Sequence, residues 1–156
     1  MKKTARILSL IMALVMMVSV FAACGEKEEE KETRMTKEEY ADAFQKLSDD
    51  LTEVQTEAQK LDANDVEGAK KILEDLKAPF TEFIDTVNPP EEYEEAHGKI
   101  KSGCEHMVAY IDIVLGAVGE TDQDKLNEAA SDMMEELQAA VADLSEGATM
   151  LEEADK

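Results

Sequence analysis

The chain has 156 residues, of which 37 are Asp or Glu and 16 are Lys or Arg, giving a formal charge of −21 at neutral pH. A field of that sign repels nucleic acid and anionic head groups, which excludes nucleic-acid binding as a function and favours cations or basic proteins as partners. The length suits one domain with a substantial core.

The chain opens with Lys2, Lys3 and Arg6 and no acid, then runs apolar from Ile7 to Val20 with only Ser9 and Ser19 as small polar interruptions. A basic flank, a short apolar run and small residues before a cut site make up a secretory signal. The run is shorter than the ~18 residues of a membrane-spanning helix. Its end, Phe21-Ala22-Ala23-Cys24-Gly25, resembles the lipobox of bacterial lipoproteins, with Phe21 where that family usually has Leu. The resemblance implies that residues 1–23 are removed and that Cys24 carries the lipid, with palmitate-like acyl chains as the anchor in the membrane. Buried acyl chains contribute ~0.8 kcal/mol per methylene, so two or three hold a protein durably. Cleavage leaves 13 basic residues against 37 acids, a formal charge of −24. Lipidation of Cys24 leaves Cys104 without an intrachain partner, so the fold must stand without disulfides.

Residues 24–35 are predicted as the lipidated cysteine and an acidic tether, because Gly25 to Met35 is nearly all Glu and Lys and cannot bury a core. The domain is predicted over 36–156. Thr36-Lys37-Glu38-Glu39 is a capping box, in which hydroxyl and carboxylate satisfy the free amides of a helix start. Tyr40, Phe44, Leu47, Leu51, Val54, Ala58 and Leu61 then recur at steps of four and three, an apolar stripe on one helix face. Asp62 to Asp65 breaks the pattern and caps a second stripe of Val66, Ala69, Leu73, Leu76, Phe80, Phe83 and Val87. Pro79 lies within that stripe and lacks the amide that bonds back one turn, which predicts a kink or break near Asp75 to Ala78.

Asn88-Pro89-Pro90 ends the second helix, since a residue before proline is pushed out of the α region. Pro90 then suits the first turn of a third helix, with Glu91 and Glu92 at its positive end. Its stripe is Tyr93, His97, Ile100, Cys104, Met107, Ile111, Val114 and Val118. A second stripe of His106, Tyr110, Ile113 and Ala117 widens the buried face and predicts the most buried helix of the set. Gly98, Ser102, Ala109 and Gly116 form a small-residue face suited to close helix approach. Gly119 suits a C-terminal cap. Thr121 to Asp124 starts a fourth helix carrying Leu126, Ala130, Met133, Leu137, Ala140, Leu144, Ala148 and Leu151. Short links force neighbouring helices antiparallel, so the predicted fold is an all-α, up-down-up-down four-helix bundle.

His97 is the polar residue on an otherwise apolar stripe, and Glu94 three residues earlier lies on the same helix face. Di-iron bundles use that Glu-x-x-His unit twice, with two further glutamates. Here His106 follows Gly103, so the second unit is missing. Cys104, two turns from His97, could join His97 and Glu94 around a soft metal such as copper or zinc. Against that stands a packed, hydrogen-bonded histidine and a buried apolar thiol. Asp122-x-Asp124 does not continue into a calcium loop, because the sixth position is Asn127 where glycine is needed. Ser-His-Asp and Cys-His-Asn sets, paired-cysteine haem attachment and glycine-rich phosphate loops are all missing.

The segment Asn88-Pro89-Pro90-Glu91-Glu92-Tyr93-Glu94-Glu95-Ala96-His97 resembles a pattern in small uncharacterised helical lipoproteins of Gram-positive bacteria, where a Pro-Pro turn opens a helix bearing Tyr and then His. That resemblance implies a surface-located bundle and carries no activity. The sequence thus predicts a membrane-tethered, extracytoplasmic, non-enzymatic binding or spacer module, with no catalytic residue and no cofactor. The alternatives are a metal- or cofactor-binding bundle using His97 and, further off, an exclusion- or immunity-type lipoprotein.

Overall fold

The computed structural model describes residues 34–62 and 65–156; the predicted signal segment and Cys24 lie outside the described residues. Four helices pack against one another: α1 (Lys37–Ala58), α2 (Val66–Thr86), α3 (Glu94–Ala117) and α4 (Gln123–Ala154), with a 3-10 turn at Glu91–Tyr93 leading into α3. No strand occurs among the described residues.

The helix starts follow local chemistry. The Glu39 amide donates to Thr36 Oγ1 and the Thr36 amide donates to Glu39 Oε2, completing the capping box of α1. Asp65 accepts from the Gly68 amide at 2.8 Å to open α2. Asp122, one residue beyond Thr121, caps α4 by accepting from the amides of Asp124 and Lys125. Gly119 adopts φ +89, a left-handed conformation that glycine takes without the Cβ penalty, and so ends α3 as expected. Helix α1 stops at Ala58, and Leu61 falls in the turn beyond it, half-buried rather than continuing the stripe.

Of the kink or break predicted near Pro79, the break does not occur: α2 runs through the proline without interruption. Proline removes one backbone bond and costs about 3 kcal/mol in a helix interior. Leu76, Pro79, Phe80 and Phe83 are all buried on one face. Burying side chains of that size contributes about 1.5–3 kcal/mol each, so the packing outweighs the lost bond. The last residues of the predicted tether are also corrected. The Met35 amide donates to the Asn88 carbonyl at 2.8 Å, and Arg34 Nη2 donates to Glu94 Oε2 at 2.9 Å. Met35 is half-buried against the core, so its apolar side chain takes it out of the solvated run.

Helix α3 is the central element. Ile100, Ile111, Cys104 and Met107 are essentially without solvent contact, and they meet Leu51 of α1 and Leu73, Leu76 and Phe80 of α2 in one core. Helix α4 contributes differently. Along it Ala140 and Gly147 are buried, while Met133, Leu137, Leu144 and Leu151 are half-buried against the core.

Helices α3 and α4 approach closely at two glycines. A Cβ on Gly103 would lie 2.6 Å from Leu144 Cγ. A Cβ on Gly147 would lie 2.6 Å from Ile100 Cγ1 and 3.0 Å from the Ala96 carbonyl oxygen. The expected small-residue face is therefore displaced. Gly98 and Gly116 point into open space, and the approach runs through Gly103 instead.

Two glycine substitutions should consequently move stability in opposite directions. Gly147→Ala drives a methyl into the backbone of α3 and is expected to lose about 1–3 kcal/mol through overpacking. Gly98→Ala adds a methyl in open space to a helix interior and should gain about 0.5–1 kcal/mol. Urea denaturation of both variants checks this. A stabilised Gly147→Ala would show that the two helices are free to move apart.

Candidate functional site around His97

His97 sits on α3 one turn beyond the 3-10 turn, and is 7% exposed. Rings from two helices pack on it. The centroid of Tyr40 on α1 lies 5.7 Å away in an edge-on arrangement, and that of Phe83 on α2 lies 5.8 Å away. Phe44 packs on both Tyr40 and Phe83, and Tyr93 stacks at a tilt on Tyr40. These residues are brought together because the stripes of α1, α2 and α3 all converge at the Pro89-Pro90 end.

Within this box the Tyr40 hydroxyl and His97 Nδ1 are hydrogen bonded at 3.1 Å, the tautomer deciding which of them donates. Burial pushes the Tyr40 phenol well above its ordinary range, so it stays protonated. Burial, reinforced by the Lys101 ammonium, lowers His97 below its ordinary value of 6.5, so the imidazole stays neutral. No buried side-chain nitrogen or oxygen among the described residues lacks a hydrogen-bond partner.

The other two members of the proposed metal set do not join His97. Glu94 is turned to the surface, where Arg34 binds its carboxylate. Cys104 is 1% exposed, and burial raises its thiol to about 12. A thiol held protonated is a poor metal ligand and a poor nucleophile. Among the described residues no three His, Cys, Asp or Glu side chains are placed to hold a metal ion.

A polar cluster that sequence spacing missed lies on the α3–α4 seam. His106, expected on the buried face, is about one-third exposed, and its Nδ1 lies 2.6 Å from Glu136 Oε2. Ser102 Oγ donates to Asp143 Oδ2 at 2.6 Å, and Lys99 pairs with Glu146 at 2.9 Å. The hydroxyl holds Asp143 below the usual carboxylate range, with Lys99 and His106 assisting. The acids that face His106 come from a different helix, so i, i+3 spacing within α3 cannot reveal them. The partial signal was the seven-residue spacing of Glu136 and Asp143, which puts both on one face of α4.

A second cluster closes the Pro89-Pro90 end. The Tyr93 hydroxyl donates to Asp155, and Lys37 Nζ donates to the same carboxylate at 2.8 Å while lying 4.8 Å over the Tyr93 ring. Lys37 and Tyr93 together hold the Asp155 carboxyl below its ordinary range. Between α1 and α2 a groove of about 40 Å³ is lined by Leu47, Pro79, Phe83 and Val87, with Lys46 reaching across to Glu82. That volume suits a water rather than an organic ligand.

No family model matches the chain, and neither the curated proteins nor the solved structures contain a match. No helix among the described residues is long and apolar enough to cross a membrane.

The environment of His97 predicts a pH signature. Because its folded value is depressed, the stability it contributes is complete above about 6.5 and is lost as pH falls through the folded value. His97→Gln should therefore close part of its stability gap to the wild type between pH 7.5 and 5.5. His97→Ala should lose about 1–3 kcal/mol at pH 7.5. Neither variant should differ from the wild type in its response to added zinc or copper(I). Melting curves across that pH range, with and without metal, test all three statements. A zinc-induced rise in the wild type that vanishes in His97→Ala would make His97 a ligand residue.

Proposed function

We propose that the protein is a lipid-anchored, non-enzymatic helical module on the extracytoplasmic face of the membrane, presenting an acidic surface to a cationic or basic partner. The observation that carries the location is Cys24, set after small residues behind a basic flank and a short apolar run. We infer in addition that the four helices run up-down-up-down. Pairs that join distant ends support this: Lys46 with Glu82, Lys77 with Asp112, Ser102 with Asp143 and Lys37 with Asp155.

The partner chemistry follows from how charge is used. Arg34, Lys37, Lys46, Lys70, Lys71, Lys77, Lys99 and Lys125 are each paired with an acid of the same chain. With 37 acids in the sequence, many carboxylates stay uncompensated at the surface. Pairs at such exposure contribute at most about 1 kcal/mol each, so the acidic excess is not needed for folding. The acids serve solubility and attraction. The alternative centred on His97 would require Glu94 to leave Arg34 and Cys104 to lose a proton in an apolar setting.

The anchor is tested by Cys24→Ala expressed in a bacterial host fed a labelled fatty acid. The substituted chain should lose the label and leave the detergent phase, whereas retained label would remove the assignment. The acidic surface is tested by titrating a lysine-rich peptide into the protein. Binding should weaken at least tenfold between 50 and 300 mM salt, roughly one decade for each few screened contacts. A peptide that fails to bind at low salt would remove the cationic partner.

A further inference from the structure

Polar groups as well as packing fasten the middle of α4 to α3. Ala140 and Gly147 are the buried residues of α4, and Ala140 is bracketed along the helix by Glu136 and Asp143. His106 of α3 reaches between those two acids. Its Nδ1 lies 2.6 Å from Glu136 Oε2, and its Nε2 lies 3.9 Å from Asp143 Oδ2, a distance of charge attraction rather than of a hydrogen bond. A neutral imidazole has one N–H, so it donates toward one carboxylate and turns a lone pair toward the other. An imidazolium presents an N–H to both. Asp143 is held ionised, accepting from Ser102 Oγ at 2.6 Å with Lys99 assisting, and Lys99 itself closes on Glu146. Glu105 and Asp132, the nearest other acids along α3 and α4, are exposed. Tyr110, one turn beyond His106, is buried, and burial raises its phenol and keeps it protonated. Among the described residues no acid of α1 or α2 lies within 4.0 Å of His106.

We propose that His106 is a proton-operated clasp: on taking up a proton it draws Glu136 and Asp143 together and tightens α4 on α3, and on losing it lets the middle of α4 loosen. When α4 lifts, the imidazole leaves both acids behind, so the closed seam holds the proton more favourably than the open one. Closing therefore gains from mild acid, and the gain is lost as pH rises and the ring gives up its proton. Asp143, held low, keeps its charge throughout, so the seam responds through the imidazole. His97 responds the other way, because it is packed neutral and charging it opposes its burial. The two histidines thus set the two interfaces against each other. Acid weakens the aromatic box where α1, α2 and α3 meet, and strengthens the α3–α4 seam.

Amide hydrogen exchange in the full chain tests this, read over residues 133–147 at about pH 5.5 and 7.5 and corrected for the intrinsic pH dependence of exchange. In the wild type, protection of that stretch should fall about threefold to fivefold at the higher pH, the scale of a partly exposed ion pair. His106→Gln keeps a donor for Glu136 but cannot charge, and should show no such fall. His106→Arg stays charged at both values and should hold the higher protection throughout. Asp143→Asn, which leaves Ser102 a partner, should shrink the fall without abolishing it. His97 and the rest of the acidic surface are the same in all four chains, so their own pH responses cancel in the comparison. Wild-type protection that does not change with pH, or that changes equally in His106→Gln, overturns the proposal.

Discussion

The contact between α3 and α4 at Gly103 and Gly147 is the constraint on which the fourth helix depends. The large apolar side chains of α4 are half-buried at best, and its fully buried positions are Ala140 and Gly147. A helix so poor in core volume secures itself by closeness. Where glycine removes a side chain, the backbones approach, dispersion gains rise, and Leu144 can lie across Gly103. The polar seam of Ser102, His106, Glu136 and Asp143 follows from the same closeness, since short side chains can only bridge helices that already lie near each other. The other three helices meet through larger side chains such as Leu51, Leu76, Phe80 and Ile111, so the molecule combines two kinds of interface.

Features set by neighbouring residues were legible in the sequence. Thr36 with Glu39, Asp65 and Gly119 each satisfy or end a local run of backbone bonds, and local chemistry decides them. The stripes of α1 and α3 were equally legible because they repeat over six or more turns. What failed was competition between levels. Pro79 carries a local penalty that the burial of Leu76 and Phe80 overrides. Met35 looks like tether by composition but finds the Asn88 carbonyl. Gly98 and Gly103 are alike in sequence, and the position of α4, a tertiary fact, decides which one is needed.

The candidate site was half legible. His97 was marked by its place on an apolar stripe, and its burial fits that mark. Its real neighbours, Tyr40 and Phe83, come from helices far away in sequence, whereas Glu94, its neighbour in spacing, faces Arg34. One turn of helix separates Glu94 from His97, yet one lies in water and the other in the core. Shared helical face is a weaker condition than shared environment, because the edge of a buried face is only one residue wide.

The fastening of Arg34 and Met35 to the Asn88–Pro90 turn has a mechanical consequence. Lys37 and Asp155 are joined at that same end, so the chain enters the fold beside the last turn of α4. A pull arriving from residue 33 therefore loads a few bonds at the rim one after another, in a peeling geometry. It does not shear the helices along their length. The turns after Ala58 and Val118 lie a full helix away, about 33 Å for α1. They carry none of that tension, so drag on the molecule would fray its point of entry while the far end keeps its shape.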